Sequence, residues 1–259
     1  LFRSLRLLPA VRRDGLRGGL LSFDGQLVDD ARLVIALART AAGYGARVLT
    51  RTEARQLTGD GAVLHDRLTG ERITVRARAV VNATGVWAGT LVDSLPLRPS
   101  RGSHLVLPAN ALGNPRAALT VPVPGTRNRF VFALPQDTGL VYAGLTDEPV
   151  EGPLPEIPAV PETDVTFLLD ILGSALEVPP ARADVLGSYA GLRPLLDTGD
   201  GHSADLSRKH AVLTSPDGVI TVIGGKLTTY RRMAEHTVDA AVRLAGLTAG
   251  PCRTAWLPL

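Results

Sequence analysis

The hydrophobic and polar positions between Asp29 and Gly45 follow a helical period. Leu33, Leu37 and Ala41 share one face of such a helix. Aspartates at its start suit an N-cap and a first helical turn, and glycines at its end suit a helix stop. We therefore predict a helix over this segment, followed by a short strand at residues 46–50.

Two further segments carry the same period. Residues 165–176, with the sequence VTFLLDILGSAL, predict a helix capped by Thr163 or Asp164. The last helix is predicted from about Thr228 to Leu244, and Gly246 follows it closely.

Strand patterns fill most of the remaining chain. Residues 51–78 alternate around the turn signals GDG and TG, which indicates a β-meander. Between residues 101 and 147, prolines and glycines separate the runs SHLVLP, AALTVPV, RFVFALP and LVYAGLT, as in an antiparallel sheet. Five prolines in residues 148–164 indicate an extended loop. Further strands are predicted at 184–196 and 219–223, so the fold class is α/β.

Composition narrows the classes of function. The chain has 259 residues and a net charge of +3, without a dense basic run, and aromatic residues make up only 4%. These values argue against nucleic-acid binding and suit an anionic substrate or a lipid surface. The single cysteine, Cys252, excludes an intrachain disulfide framework and fits a reducing compartment. Apolar runs are too short to span a membrane, and no metal site is predicted.

The start of the sequence is unusual. It begins at Leu1, and its only methionine is Met233. We therefore expect the chain to be a piece of a longer protein.

The segment VIGGKLTTY holds one of the chain's two lysines, Lys226. An apolar strand ends in Gly224-Gly225 and a helix begins soon after, which is where outward backbone N–H groups and the helix dipole accept an anion. A phosphate-binding P-loop is excluded, because Ile220 and Leu227 occupy positions where that motif needs glycine and Ser or Thr. The local sequence is equally compatible with an ordinary strand-to-helix turn.

Three other features are candidates for chemistry. Residues 82–85, Asn-Ala-Thr-Gly, end an apolar strand with an accessible backbone, as cofactor-binding turns of open α/β sheets do. Arg193 lies between apolar residues in YAGLRPLL, where a guanidinium must reach water or an anion. His104 heads a strand of the second sheet. A tight turn, an exposed arginine on an edge strand and a structural histidine are the alternatives.

The segments VVNATGVWA, RGSHLVLP, RFVFALP, GLTD, SYAGLRPLL, SRKHAV and GGKLTTYRRMAEH occur in an order that resembles flavin-dependent glycerol-3-phosphate dehydrogenases of the aerobic type. The resemblance covers residues from about 17 to 245. It implies a Rossmann-like FAD-binding domain, here incomplete, interleaved with a substrate domain of α+β type built on a mixed or antiparallel sheet. The implied divisions are 1–97 and 204–250 for FAD, 98–203 for substrate, and 251–259 as the start of a C-terminal domain.

The chemistry implied by this resemblance is the oxidation of sn-glycerol 3-phosphate to dihydroxyacetone phosphate. A hydride leaves C2 for flavin N5, the C2 hydroxyl loses a proton, and electrons pass to a quinone. His104 is the candidate base or polar orienter, and Arg193, Arg208 and Lys226 are the candidate cations for substrate. The cofactor-binding candidates are Asn82, Ala83, Thr84, Gly85, Gly224, Gly225, Lys226, Leu227 and Thr228. A cytoplasmic protein, with peripheral membrane attachment and a homodimer left open, is expected.

One family motif is missing from this sequence. The G-x-G-x-x-G turn that holds the FAD pyrophosphate does not occur, since the glycines of GLRGGL at residues 15–20 have the wrong spacing. We expect the chain by itself to retain little FAD. The alternatives are a catalytically incompetent fragment of such an enzyme and a related amine or 2-hydroxy-acid oxidase.

Overall fold

The computed structural model describes residues 2–93, 95–126, 129–197 and 209–259. The chain divides into two compact units: unit 1 contains residues 1–28 and 99–193, and unit 2 contains residues 29–98 and 194–259. The sequence predicted domain boundaries after residues 97 and 203, and it assigned residues 1–28 to the same domain as residues 29–97. Which unit serves the cofactor and which the substrate stays a prediction.

The helices are α1 (Phe2–Leu7), α2 (Asp30–Gly43), α3 (Ala88–Leu91), α4 (Glu162–Ser174) and α5 (Tyr230–Leu244), with short 3₁₀ turns at Gly85–Trp87, Ala109–Leu112, Arg182–Asp184 and Leu227–Thr229. The strands are β1 (Thr52–Thr58), β2 (Gly61–Asp66), β3 (Arg72–Arg76), β4 (Val80–Asn82), β5 (Leu97–Pro108), β6 (Leu119–Pro122), β7 (Phe130–Pro135), β8 (Leu140–Gly144), β9 (Glu148–Pro149), β10 (Gly187–Leu196), β11 (Ala211–Thr214) and β12 (Val219–Ile223).

Unit 1 is built on an antiparallel sheet whose strand order is β10-β5-β8-β7-β6, with β9 pairing β5. The four strands predicted between residues 101 and 147 are therefore confirmed. Side chains alternate between the two faces of a strand. On β5 the fully buried Leu105 and Leu107 join the core with Leu168 and Leu172 of α4. The opposite face of β5 is the one that carries His104.

Helix α4 begins differently from the prediction. Pro161, rather than Thr163 or Asp164, occupies its N-cap position, and Glu162 and Asp164 lie in its first turn. Asp164 is only 5% exposed, and its carboxylate binds other side chains of unit 1. Because those bonds use the carboxylate, it does not cap the helix.

The described residues of unit 2 form two three-stranded sheets. The predicted meander is confirmed as the antiparallel sheet β1-β2-β3. In the second sheet β12 lies between β11 and β4, antiparallel to β11 and parallel to β4. Helix α5 packs on β12. Its predicted range is confirmed, with a 3₁₀ turn at Leu227–Thr229 as its entry.

Helix α2 is confirmed, and Asp29 caps it by accepting a hydrogen bond from the backbone N–H of Arg32 at 2.8 Å. The strand predicted at residues 46–50 is wrong. A strand needs a partner for its backbone groups, and residues 46–50 pair with no strand in the described part of the chain. Val48 and Leu49 are 51% and 57% exposed, so burial does not hold the segment extended either.

Within the described ranges, no helix is both long enough and apolar enough to cross a membrane.

Candidate active site

His104 lies on the face of the unit 1 sheet opposite α4. It pairs with Gly144 across the β5–β8 ladder, and its imidazole stacks on Tyr189 of β10, with ring centroids 4.9 Å apart and planes 5° apart. Tyr142 meets Tyr189 edge-on at 6.0 Å. Three neighbouring strands therefore contribute one ring each to an aromatic wall, in which the imidazole of His104 is half-buried.

The environment of His104 keeps its imidazole neutral. Burial lowers the pKa of His104 below the ordinary 6.5, and the positive charge of Arg193 lowers it further. Its Nδ1 atom is buried and finds no hydrogen-bond partner within the described residues. A neutral imidazole is able to accept a proton, as a general base must.

Arg193 binds Asp147, Ser100 and Thr146 of unit 1. Its Nη1 donates to Asp147 Oδ1 and to Ser100 Oγ, each at 3.3 Å, and its Nη2 donates to the carbonyl oxygen of Thr146 at 3.2 Å. The Arg193 side chain is 26% exposed and that of Asp147 is 7% exposed. The sequence predicted that this guanidinium must reach water or an anion, and the anion it reaches is Asp147.

Two glycines make room for these side chains. A Cβ on Gly102 would overlap the guanidinium of Arg193, and a Cβ on Gly144 would overlap the ring of His104. Neither glycine has a positive φ. Both are therefore needed for space, and they account for a glycine in each of the segments RGSH and GLTD. Neither glycine was among the candidates predicted from the sequence, although both segments carried the resemblance.

A second polar network lies on the α4 side of β5. Asp164 accepts hydrogen bonds from Ser103 Oγ at 2.5 Å, from Thr146 Oγ1 at 3.1 Å and from Arg101 at 3.2–3.3 Å. Thr146 thus bonds Asp164 through its hydroxyl and Arg193 through its carbonyl. The network fixes residues 146–147 from the α4 side of the sheet. Those residues in turn bind Arg193.

In unit 2, the structure brings the two predicted cofactor turns together. Strands β4 and β12 are parallel neighbours, with Asn82 opposite Thr221. The turns 82–85 and 224–228 leave these strands at their carboxyl ends, so both lie on one edge of the sheet. Open α/β sheets bind ligands at that edge.

The NATG turn is organised by its own asparagine. Asn82 is 1% exposed, its Nδ2 donates to the carbonyl oxygen of Ala88 at 3.1 Å, and its Oδ1 accepts from Thr84 Oγ1 at 2.7 Å. The Asn82 side chain therefore shapes the turn. The backbone N–H of Thr84 also donates to Asn82 Oδ1, at 3.3 Å, and its carbonyl oxygen accepts from Trp87. The groups left for a ligand are therefore the backbone of the exposed Ala83 and of Gly85. Gly85 has φ +61°, and a Cβ there would meet no protein atom within 4 Å.

The glycines of the GGK turn have reasons of their own within the fold. Gly224 and Gly225 have φ of +73° and +76°, which favours glycine strongly. A Cβ on Gly225 would come within 2.5 Å of Met233 Sδ, and one on Gly224 within 2.8 Å of the Lys209 carbonyl oxygen. The fold alone therefore requires both glycines, and their presence does not by itself establish contact with a cofactor.

Lys226 is exposed at the entry to α5. Its backbone N–H and carbonyl contact Thr229 Oγ1 at 3.3 Å and 2.9 Å, which fixes the 3₁₀ turn. The turn thus offers an exposed ammonium group beside the positive end of a helix. With the open backbone at Gly85, this edge of unit 2 carries positive charge and accessible backbone, which suits an anionic group. Arg208 lies outside the described residues.

Comparisons with known proteins agree with these observations. The family of FAD dependent oxidoreductases matches residues 3–231. Glycerol-3-phosphate dehydrogenase 1 of Mycobacterium tuberculosis (strain H37Rv) is 55% identical over 99% of this chain, which covers 51% of that protein. The human mitochondrial glycerol-3-phosphate dehydrogenase is 38% identical over 98% of this chain and 37% of its own length.

A solved structure supports the same assignment. The glycerol-3-phosphate dehydrogenase of Bacillus halodurans complexed with FAD superposes with a TM-score of 0.83 and 32% identity, over 98% of this chain and 50% of that one. The glycine oxidase of Geobacillus kaustophilus, at 22% identity and a TM-score of 0.58, shares the fold. The chain spans about half the length of the curated mycobacterial relative. With a match over residues 3–231, the chain belongs to the FAD dependent oxidoreductase family.

Proposed function

We propose that this protein oxidises sn-glycerol 3-phosphate to dihydroxyacetone phosphate with FAD as its cofactor. The observation that carries the proposal is the 55% identity to a glycerol-3-phosphate dehydrogenase along 99% of the chain. The arrangement in unit 1 supports it, because a neutral imidazole and an anchored guanidinium suit an alcohol that bears a phosphate.

The reaction removes a hydride and a proton from the substrate, which turns the C2 alcohol into a ketone. FAD, when bound, supplies the acceptor for the hydride. His104 takes the proton from the C2 hydroxyl, for which its neutral state prepares it. Stacking on Tyr189 holds the ring in place during this transfer.

Cations bind the phosphate group. Arg193 is one of them, but Asp147 offsets part of its charge. A phosphate dianion therefore needs further positive charge, and we assign that role to Lys226 and Arg208.

The turns of unit 2 hold the cofactor. Asn82 and Thr84 shape the first turn through their mutual hydrogen bonds, and Ala83 and Gly85 present their backbone to the ring. Gly224, Gly225, Lys226, Leu227 and Thr228 form the second turn. Backbone N–H groups at a helix start stabilise negative charge, so this turn favours the reduced form of the cofactor.

A quinone is the proposed electron acceptor. The protein is proposed to be cytoplasmic, and peripheral contact with the cytoplasmic membrane would give it access to a lipid-soluble quinone. The net charge of +3 suits an anionic lipid surface. A homodimer is proposed as well, and sedimentation of the purified protein tests it.

Steady-state oxidation by the purified full-length protein, supplied with FAD, tests the function. We expect dihydroxyacetone phosphate from sn-glycerol 3-phosphate, with a quinone analogue reduced faster than oxygen. Unphosphorylated glycerol is the control for the phosphate site, and glycine is the control for an amine oxidase. Faster oxidation of glycine would refute the proposed substrate, and a full-length protein that binds FAD but oxidises none of these compounds would refute the proposed activity.

A further inference from the structure

A catalytic histidine is usually oriented by a hydrogen bond to its second ring nitrogen. His104 lacks this bond in the part of the chain that the structure describes, since its buried Nδ1 has no partner there. An unsatisfied buried nitrogen destabilises the fold and leaves the ring without a polar orienting contact at that atom. Something else must fix the imidazole plane.

The ring is fixed by packing on both sides. Tyr189 stacks on one face with the planes within 5° of each other. On the Gly144 side, the backbone approaches so closely that a Cβ would lie 2.9 Å from Cγ and from Nε2 of the imidazole. Tyr142 in turn packs edge-on against the Tyr189 ring, with 6.0 Å between the two ring centroids. Rotation of the His104 ring out of its plane would drive it into Tyr189 or into the Gly144 backbone.

We propose that Tyr189 is the positioning residue of His104: its ring, acting against Gly144, takes the place of the orienting hydrogen bond. The inference rests on the proposed function for the role of His104 in proton transfer, but the packing itself does not depend on that role. Tyr189 acts through His104, and its hydroxyl is not required for the stack.

The charged and titratable groups around His104 make the effect measurable. From β10 it faces Tyr189 and Arg193, and β8 contributes Tyr142 to the same wall. Arg193 also pairs with Asp147 at 3.3 Å. Removing the Tyr189 ring opens His104 to water and leaves the charged groups unchanged. The imidazole of His104 then becomes easier to protonate and free to rotate.

The test uses ¹⁵N NMR of the imidazoles in the purified protein, assigned with His104→Gln. In Tyr189→Ala we expect the His104 titration midpoint to rise towards 6.5, whereas Tyr189→Phe, which retains the stack, restores the wild-type titration. Tyr44→Ala is the matched control, because Tyr44 is 75% exposed and lies in unit 2. Circular dichroism verifies that each variant is folded.

Kinetics in the full-length protein add a second readout. Tyr189→Ala should lower kcat about 10- to 100-fold, because a displaced reacting group costs about that much, with the acidic limb of the pH profile shifted upwards. An unchanged His104 titration in folded Tyr189→Ala would overturn the inference, and so would a loss confined to KM, which would make Tyr189 a substrate contact. If the NMR shift occurs in a protein that does not oxidise glycerol 3-phosphate, the positioning role stands and the proposed function fails.

Discussion

Replacing Arg193 by leucine should separate the structural role of this residue from its proposed role in substrate binding. In the structure, Arg193 is the cation beside the buried carboxylate of Asp147, and it also bonds Ser100 Oγ and the Thr146 carbonyl. Leucine removes these contacts. It leaves a carboxylate with 7% of its side chain exposed and without that cation.

The magnitude follows from the burial of the pair. Removing one partner of a fully buried ion pair costs about 3–5 kcal/mol. Arg193 is 26% exposed, and Asp147 keeps the hydroxyl of Ser100 as a donor. We therefore expect Arg193→Leu to lose about 2–3 kcal/mol of unfolding free energy. Arg193→Lys keeps the charge but not the planar fork, and with two hydrogen bonds fewer it should lose about 1–2 kcal/mol.

Urea unfolding followed by far-ultraviolet circular dichroism measures these losses. Tryptophan fluorescence is less suitable, because Trp87 and Trp256 both belong to unit 2. Adding Asp147→Asn to Arg193→Leu removes the stranded charge. The double variant should therefore recover about 1–2 kcal/mol relative to Arg193→Leu alone.

The functional effect should be visible in Arg193→Lys. We expect KM for glycerol 3-phosphate to rise at least about tenfold while flavin content is unchanged, because lysine cannot bind a phosphate in the bidentate manner of arginine. Two results together would refute a stabilising Arg193–Asp147 ion pair. The first is a urea midpoint of Arg193→Leu equal to that of the wild type, and the second is an Asp147→Asn change that alters the midpoint of neither protein. A wild-type kcat/KM in Arg193→Lys would remove Arg193 from the substrate site.

Three further predictions concern single positions. Gly85→Ala and Gly70→Ala both place a Cβ at positive φ in open space, so each should cost about 1 kcal/mol of stability. In a flavin titration of the full-length protein only Gly85→Ala should weaken FAD binding, and equal affinities would remove the NATG turn from the cofactor site. Asp164→Asn should lose about 2–3 kcal/mol in urea unfolding, because Arg101 loses its partner within a buried network, and a loss below about 0.5 kcal/mol, typical of a surface change, would contradict this. Burial and Arg193 lower the pKa of folded His104 below 6.5, so the unfolded state takes up the proton first and stability should fall as pH drops from 6.5 towards that lower pKa; His104→Gln should flatten the fall, and an unaltered pH dependence would argue against a neutral His104.

Local patterns predicted much of the fold. The helices near residues 30–43 and 230–244, the meander and the antiparallel strands follow from short-range periodicity and turn residues, and the structure confirms them. The strand predicted at 46–50 is wrong because a strand depends on a partner that its own sequence does not contain. The cap assigned to Thr163 or Asp164 is wrong for a related reason. Asp164 binds Arg101 and Ser103, which are about 60 residues away in sequence, and local propensity carries no information about such contacts.

The candidate site also combines residues that local sequence reveals with residues whose roles depend on distant contacts. His104, Arg193 and the two turns could be named from the sequence because each stands in a conspicuous motif. Gly102, Gly144 and Tyr189 were missed, because their roles depend on which strands are neighbours. Tyr189 and Gly144 contact His104 because β10 and β8 are the two neighbours of β5. A glycine inside a strand pattern, as at Gly102, is the sequence signal that could have prompted the question of what lies against it.

Anaerobic addition of sn-glycerol 3-phosphate to the purified, FAD-loaded full-length protein tests the proposed function most directly. The visible absorbance of oxidised flavin should disappear, with one dihydroxyacetone phosphate formed for each flavin reduced, and His104→Gln should slow this step about 100-fold or more because the proton acceptor is lost. Unphosphorylated glycerol at the same concentration should leave the spectrum unchanged. A flavin that stays oxidised with glycerol 3-phosphate, but is bleached by glycine or another amine, would contradict the proposed reaction.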